Sequence, residues 1–357
     1  MDSLTQFVLG AAVSSACLGG KIGLRKAALL GGLLGTLPDL DVLQPFADPV
    51  DSFVFHRGWS HSLVVHVAAT PLIGEALVRV FKSWKEHRWR VWAAVFLCLS
   101  THALLDALTI YGTRLLWPLY PDPVGVGSVF IIDPVYSLPL LFIVLWAFIR
   151  GRWSDAFKTG LSVVLVLTTG YLAWGIGAKT YMEARAERLF KQAGVAPQRI
   201  LAQAAPFNTL LWKVIGLEEG RYHNLYLSVL DDQDTQPVYT HARHLELSSC
   251  LDDNLSFQKL DWFSHGFFRA DRKGDRVSIS DLRMGLTPGY TFSFTVAELE
   301  AETLREVAPV RGLLTRRAIA EGDWDWLKAR TLGKSTIRPA EIAFIGATEP
   351  PVPEPAC

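Results

Sequence analysis

Uncharged apolar runs in the first half of the chain constrain its fold more than any other feature. The segment TGLSVVLVLTTGYLAWGI (159–176) contains no charged side chain, and neither does PVYSLPLLFIVLWAFI (134–149). Crossing the core of a bilayer takes about 20 predominantly apolar residues in helical form. Half of all residues are hydrophobic, which is a high share for a soluble protein. The sequence therefore predicts a multi-pass membrane domain.

Six apolar segments are predicted to be helices, at about 4–20, 26–37, 62–81, 91–111, 134–150 and 159–177. The second is too short to cross a bilayer alone. Basic residues follow the first, third and fifth segments, whereas the alternate loops, 38–61 and 112–133, carry only Arg57 and Arg114. Because basic loops stay on the cytoplasmic side of the inner membrane, we expect the alternate loops at the outer, periplasmic face. By the same parity, the chain after residue 180 is expected there too.

The second half of the chain has the pattern of a soluble, mainly β domain. HNLYLSVL (223–230), RVSIS (276–280) and TFSFTV (291–296) alternate as half-buried strands do. EARAERLFKQAG (183–194) predicts a helix that ends at Gly194. The predicted fold class is an α-helical multi-pass membrane domain followed by a smaller, mainly β (α+β) soluble domain. The predicted boundaries are 1–180 for the membrane domain, 186–345 for the β domain and 346–357 for a disordered, proline-rich tail.

Charge excludes one class of partner. The chain has 35 basic and 35 acidic residues and a formal net charge of zero. No overall field therefore favours nucleic acid, and no nucleic-acid partner is expected.

Two polar clusters lie in the first loop that is expected at the outer face. TLPDLDVL (36–43) places Asp39 and Asp41 one residue apart, so both carboxylates can reach one cation if the segment is extended or turned. A solvated loop at a helix end is the alternative. FHRGWSHS (55–62) adds His56 and His61, and imidazole is the commonest protein ligand for zinc. Both histidines could instead be interfacial loop residues.

The same stretch supplies further candidates for the site. Arg57 is placed to stabilise negative charge that develops on a phosphoryl or carboxyl oxygen, and Ser60 is a candidate catalytic residue beside it. His66 lies further into the apolar run, where a packed or supporting role is expected instead of a ligand.

A third cluster lies inside an apolar run, at STHALLDALTIYGT (100–113). His102 and Asp106 are four residues apart and share a helix face, and Thr109 extends that face. A carboxylate and an imidazole inside a membrane helix are costly unless they face an interior site and are paired. A His–Asp pair that holds two helices together is the alternative.

A fourth cluster, VFIIDPVYSLP (129–139), contains Asp133 immediately before Pro134. Aspartate before proline commonly begins a helix. The alternative is that Asp133 orients a metal-binding histidine.

Together these segments predict a metal site. The predicted ligands are Asp39, Asp41, His56, His61, His102 and Asp106, which would suit one ion with an open position or a pair of ions. Zinc is the expected metal, with manganese as the alternative. A water bound at an open position loses a proton near neutral pH and becomes a nucleophile, so hydrolysis is the expected reaction, with Arg57, Ser60 and Asp106 as catalytic candidates.

Five blocks of the sequence resemble the YdjM-type inner-membrane metal-dependent hydrolases of bacteria. They are MDSLTQFVLGAAV, GTLPDLDVL, HRGWSHS, THALLDALTIYGT and FIIDPVYSLP, in the expected order over about residues 1–140. That family is similar to the zinc-dependent phospholipase C and single-strand nuclease superfamily, so the resemblance implies phosphoester hydrolysis with His56, His61, His102 and Asp106 at motif positions. Many relatives have histidine where this chain has Gln6.

Two other functions fit parts of the sequence. His102, Asp106 and Glu75 could form an intramembrane relay in a proton- or ion-coupled transporter, although the polar groups gather at one end of the helices. Alternatively, the helices could anchor a β domain that binds a partner. For the hydrolase, a membrane lipid or lipid-linked phosphoester is the expected substrate, because such molecules lie at the depth of the predicted site.

Overall fold

A computed structural model describes residues 1–232, 235–300, 303–312 and 320–346 of the chain. Contacts divide it into two units. The first contains residues 1–44, 57–177 and 206–208, and the second contains 45–56, 178–205 and the chain from 209 onward. The predicted tail lies, from residue 347, outside the described residues.

The first unit is helical. Its helices are α1 (Ser3–Ile22), α2 (Leu24–Thr36), α4 (Leu63–Val80), α5 (Arg88–Leu108), α6 (Pro134–Arg150) and the first part of α7 (Asp155–Gln192), while α3 (Pro49–Phe55) belongs to the second unit. Short 3-10 turns, Pro38–Leu43 and Trp59–His61, connect α2 to α4 on either side of α3. The six predicted apolar helices are therefore present. The helices predicted at 159–177 and 183–194 form one continuous helix, α7, which ends at Gln192.

Within the described residues, four helices are long and apolar enough to cross a membrane, by length and composition: α1, α4, a segment Lys82–Leu108 that includes α5, and α7. The helix α6 is apolar but shorter. The core of the first unit packs side chains of α1, α2, α5, α6 and α7, among them Val8, Leu105, Leu140 and Phe157. Much of α4 and α7 is exposed within the chain, as expected for helices that face lipid.

Glycines bring α1 and α2 unusually close together. A Cβ atom on Gly10 would collide with the carbonyl oxygen of Gly31, and one on Gly35 would lie 2.6 Å from the carbonyl oxygen of Gln6. Small residues at a helix interface let two backbones approach in this way. The contact fixes the C-terminal end of α2, with its Gly35 carbonyl, beside the N-terminal turns of α1.

The second unit contains two antiparallel four-stranded sheets. One has the order β1 (Arg199–Ala204), β2 (Leu211–Glu218), β3 (Arg221–Ser228), β4 (Tyr239–Ala242). The other has the order β10 (Thr303–Arg311), β9 (Ser293–Glu300), β6 (Arg276–Asp281), β5 (Phe268–Lys273), and a small hairpin pairs β7 (Gly285–Leu286) with β8 (Gly289–Tyr290). Helices α8 (Leu245–Ser248), α9 (Leu255–Ser264), α10 (Asp323–Thr331) and α11 (Pro339–Gly346) complete the unit. The predicted fold class, a helical membrane domain followed by an α+β domain, is confirmed.

Candidate metal centre

Four side chains of the first unit converge on one point. They are Asp39, His61, His102 and Asp106, and one ligand atom from each lies within 4.8 Å of the others. Asp39 comes from the 3-10 turn after α2, His61 from the turn before α4, and the other two from the C-terminal half of α5. All of them except Asp39 have fully buried side chains, and that of Asp39 is 23% exposed.

The spacing of these atoms fits a metal ion. The two Nε2 atoms of His61 and His102 lie 3.0 Å apart. Oδ1 of Asp39 is 3.4 Å from each of them, and Oδ2 of Asp106 is 3.3 Å from the first and 3.6 Å from the second. A tetrahedral zinc ion with bonds of about 2.0–2.1 Å places its ligand atoms about 3.3–3.4 Å apart. Five of the six distances between the four ligand atoms, at 3.0–3.6 Å, are thus near the edge length of such a tetrahedron, and all four atoms lie within 4.8 Å of one another.

The second nitrogen of each imidazole is held by a hydrogen bond. Nδ1 of His102 donates to the carbonyl oxygen of Gly35 at 2.6 Å. Nδ1 of His61 lies 2.9 Å from Oγ of Ser60, whose hydroxyl donates to Oδ2 of Asp41 at 2.9 Å. A carbonyl only accepts, and the Ser60 proton is already committed, so both Nδ1 atoms carry hydrogen. In neutral rings, both Nε2 lone pairs then point into the cluster, as they do in metal-bound histidines.

Asp106 is held so that one of its oxygens faces the cluster. Oδ1 accepts hydrogen bonds from Nε2 of Gln6 at 2.9 Å and from the amino group of Met1. Oδ2 is buried and has no hydrogen-bond partner, although Nε of Arg57 lies 3.1 Å away. A buried carboxylate oxygen without a hydrogen bond is costly, and a cation at the centre of the cluster would satisfy it.

Electrostatics of the cluster also favour positive charge. Burial by itself raises the pKa of Asp39, but hydrogen bonds from His102 and His61 outweigh burial and hold this pKa below its usual range. Burial lowers the pKa of His61, but the neighbouring carboxylates of Asp106 and Asp39 outweigh burial, so this pKa lies above its usual value. The two carboxylates therefore make the centre of the cluster favourable for a positive charge, either a protonated imidazole or a cation.

Arg57 occupies a buried position beside the cluster. Its guanidinium donates to Oγ1 of Thr109 at 3.2 Å and lies over the ring of Tyr111, 4.9 Å from the centroid. Thr109 in turn donates to the carbonyl of Asp106 at 2.6 Å. The guanidinium is therefore fixed next to Oδ2 of Asp106, where it can meet an anionic substrate group.

Three other residues predicted for the site, Asp41, His56 and His66, are not among the four cluster residues. Asp41 reaches His61 through Ser60 and is outside the cluster. Nε2 of His66 donates to the carbonyl of Ser60 at 2.8 Å, and its supporting role stays a prediction. His56 is not in the cluster, and its segment belongs to the second unit. The assignment of Asp41 and His56 as ligands stays a prediction.

Asp133 caps the start of α6, the first of the two roles that its place before Pro134 indicates. Its Oδ1 accepts from the backbone N–H groups of Val135 and Tyr136 at the start of α6, and its Oδ2 accepts from the hydroxyl of Tyr171 at 2.7 Å. This carboxylate is therefore a helix cap, because its acceptors are used by the first turn of α6 and by α7.

Two groups in the site were not predicted from the sequence. Gln6 was noted only as a departure from histidine, yet its amide anchors Asp106. The carbonyl of Gly35 orients His102, and a backbone group of this kind leaves no signal in residue types. In the sequence, the spacing of Gly31, Gly32 and Gly35 indicates only that α2 packs closely against another helix.

A family model described as YdjM inner membrane protein matches residues 1–182, just over half of the chain. The chain belongs to the YdjM inner membrane protein family. The match covers every residue of the four-ligand cluster and ends within α7. No match was found among curated proteins or solved structures. The family therefore places the helical unit in an inner membrane.

Proposed function

We propose that this protein is an integral membrane metal-dependent hydrolase that cleaves phosphoester bonds. The observation that carries the proposal is the set of four ligand atoms within 4.8 Å of one another, with both imidazoles oriented by Nδ1 hydrogen bonds. We assign Asp39, His61, His102 and Asp106 as ligands of one ion. Zinc is favoured by two nitrogen and two oxygen donors at this spacing, and manganese remains the alternative to be tested.

A bound ion would polarise a phosphoryl oxygen and lower the pKa of a bound water to near neutrality. The chain's own residues prepare the rest of the site. Arg57 is buried and already fixed by Thr109, so it can bind a phosphoryl oxygen without losing much conformational freedom. Ser60 and Gln6 hold His61 and Asp106 in place. Substrate is expected to enter beside Asp39, the one ligand whose side chain reaches solvent.

The position of the cluster supports a substrate at the membrane surface. Asp39 and His61 lie in connecting turns, and Asp106 is two residues from the end of α5. A relay for proton or ion transport would instead require polar groups near the bilayer midplane. We therefore favour hydrolysis of a lipid headgroup or lipid-linked phosphoester at the outer face of the membrane over transport.

Metal analysis of the detergent-purified protein tests this proposal, followed by a panel of phosphomonoester and phosphodiester substrates. We expect one ion per chain and metal-dependent hydrolysis in the wild type, and the loss of both in His102→Ala and Asp106→Ala. Thr101→Ala is the matched control, because Thr101 lies on the same helix and bonds only to the carbonyls of Leu97 and Cys98. Folded wild-type protein that binds no ion would refute the proposal.

A further inference from the structure

The turn that carries Asp39 presents large apolar side chains on its outside. In Pro38–Leu43, the carboxylate of Asp39 belongs to the four-residue cluster. By contrast, Leu40 is 54% exposed, Val42 is 68% exposed and Leu43 is 77% exposed. A contiguous exposed apolar patch of this kind marks a surface that contacts something other than water.

This apolar surface continues the exposed face of α2. Leu29 is 50% exposed and Leu33 is 58% exposed, and Leu37, just after the helix, is 40% exposed. Side chains four residues apart lie on the same face of a helix, so the row runs along α2 and on to Leu40, the neighbour of Asp39. The family match places this unit in an inner membrane, and hydrocarbon is the surrounding that such a face fits.

The length of α2 gives the depth of the turn. Arg25 and Lys26, both exposed, mark the start of α2 at one membrane surface. The helix has 13 residues and therefore extends about 20 Å, whereas the hydrocarbon layer is about 30 Å thick. The turn that follows α2 is thus expected about 10 Å below the opposite surface.

The helix α1 gives a similar depth independently. Its 20 residues, Ser3–Ile22, extend about 30 Å and match the thickness of the hydrocarbon layer. Gln6, which bonds to Asp106 of the cluster, lies sixteen residues before Ile22, or about 24 Å along the helix. Both helices therefore place the cluster inside the hydrocarbon layer, nearer to its edge than to its midplane.

We propose that the turn Pro38–Leu43 lies within the hydrocarbon layer and forms a lipid-facing entrance to the metal site. Its side chains Leu40, Val42 and Leu43 contact the acyl chains of a lipid whose phosphoester enters sideways, from the leaflet. Asp39 is the ligand with an exposed side chain, and it precedes Leu40 directly. One lipid molecule can therefore place its phosphoester at the ligand and its chains on the apolar rim, where burial of hydrocarbon is favourable.

The identity of this lipid as the substrate rests on the proposed function, but the depth of the turn does not. Photo-crosslinking of the full-length protein tests the depth without any hydrolysis. The photoreactive residue p-benzoylphenylalanine is placed at Leu40 or Leu43, and the protein is illuminated in vesicles of phosphatidylethanolamine and phosphatidylglycerol. We expect covalent lipid adducts at both positions, and fragmentation in the mass spectrometer should place the new bond on an acyl chain.

Two positions of the same unit serve as references. Val166 in α7 is 70% exposed within an apolar helix, so it should give lipid adducts. Lys85 is exposed in the basic loop after α4, so it should give none on acyl chains. Acyl-chain adducts at Leu40 and Leu43, as at Val166, would support the inference. Their absence at both positions while Val166 reacts, or bonds to headgroups alone, would overturn it.

A second measurement tests the entrance during turnover. The lipid phosphoester that the substrate panel identifies is compared with its short-chain, water-soluble analogue. In a triple variant of the turn we expect the KM for the long-chain lipid, relative to that for the analogue, to rise at least about tenfold, because contacts with the acyl chains are lost. The variant combines Leu40→Ser, Val42→Ser and Leu43→Ser, and its matched control on α7 combines Val163→Ser, Val166→Ser and Leu167→Ser.

The outcomes separate the inference from the proposed function. A KM ratio in the turn variant equal to that of the wild type and the control would overturn the contact with acyl chains. Acyl-chain adducts at Leu40 and Leu43 in a wild type that hydrolyses no phosphoester would refute the proposed function and would support the depth of the turn.

Discussion

At the scale of single residues, the candidate metal centre depends on groups outside the four-residue cluster. The Ser60 hydroxyl accepts from Nδ1 of His61 and donates to Asp41, and the Gly35 carbonyl accepts from Nδ1 of His102. Partners of this kind set the tautomer and direction of a histidine ligand, and their loss typically costs about 10–100-fold in metal affinity.

We predict that Ser60→Ala weakens zinc binding by about 10–100-fold without unfolding the protein. The physical reason is that His61 would lose the group that keeps hydrogen on Nδ1 and the lone pair on Nε2. Competition with a chromophoric chelator measures the affinity, and Thr101→Ala again serves as control. Equal affinity in Ser60→Ala and wild type would show that the hydroxyl does not orient the ligand.

Lys213 provides a residue-scale prediction in the β domain. Its side chain is buried, and Nζ donates to the carbonyls of Leu282 and Gly285, both at 2.9 Å. Burial lowers the pKa of this ammonium group to about 7, against a usual value near 10.4 in the unfolded chain. Between these values the unfolded state binds more protons than the folded state, so stability rises with pH.

We therefore expect the free energy of unfolding of wild type, relative to Lys213→Met, to increase from pH 7 to pH 9 by up to about 1.4 kcal/mol per pH unit. Below pH 7 both states are protonated and the difference should level off. Denaturant unfolding followed by tryptophan fluorescence at several pH values measures it. A difference that does not change with pH would show that Lys213 titrates normally.

The residue types of the cluster could be predicted from the sequence, but the way in which the fold arranges them could not. His102 and Asp106 are four apart on one helix, so their shared face followed from helical periodicity. Asp39 and Asp41 are chemically equivalent in the sequence, and only the turn between residues 38 and 43 determines that Asp39 points inward while Asp41 supports His61. His56 and His61 are likewise equivalent by residue type, and only the folded backbone between them determines that His61 points into the cluster.

At the scale of elements, the contact between α1 and α2 shapes the site. The glycines of this contact bring Gln6 and the Gly35 carbonyl to the positions from which they hold Asp106 and His102. Apolar periodicity predicted both helices, but it carries no information on how closely two helices approach. The same limit applies to α3, whose aromatic partners lie some 200 residues further along the chain.

Gly35→Ala is predicted to lower zinc affinity as well as stability. A methyl group would lie 2.6 Å from the Gln6 carbonyl, so α2 must move away from α1 and carry its hydrogen bond to His102 with it. Gly170→Ala on α7 is the matched control, because nothing lies within 4 Å of its added methyl group. Chelator competition and thermal unfolding of the two variants check this. A Gly35→Ala protein that loses stability but keeps its zinc affinity would separate helix packing from the site.

At the scale of the whole molecule, orientation decides which compartment supplies the substrate. Basic residues flank one set of loops: Lys21, Arg25, Lys26, Lys82, Lys85, Arg88, Arg90, Arg150, Arg152 and Lys158. The loop that carries Asp39 and His61 belongs to the other set, and His102 and Asp106 lie in the half of α5 that leads into the next loop of that set. Because the positive side faces the cytoplasm, the metal centre and the C-terminal domain are predicted to lie in the periplasm.

Reporter fusions test this orientation directly. A periplasmic alkaline phosphatase fused after residue 346 should be active, whereas the same reporter fused after Arg152, in a basic loop, should be inactive. A fluorescent protein that matures only in the cytoplasm should give the opposite pair of results. An inactive phosphatase with a bright fluorescent fusion at residue 346 would put the β domain in the cytoplasm. Since α7 is long enough to cross the membrane, that result would place the start of α7 and the basic loop before it in the periplasm, against the charge rule from which the orientation is derived.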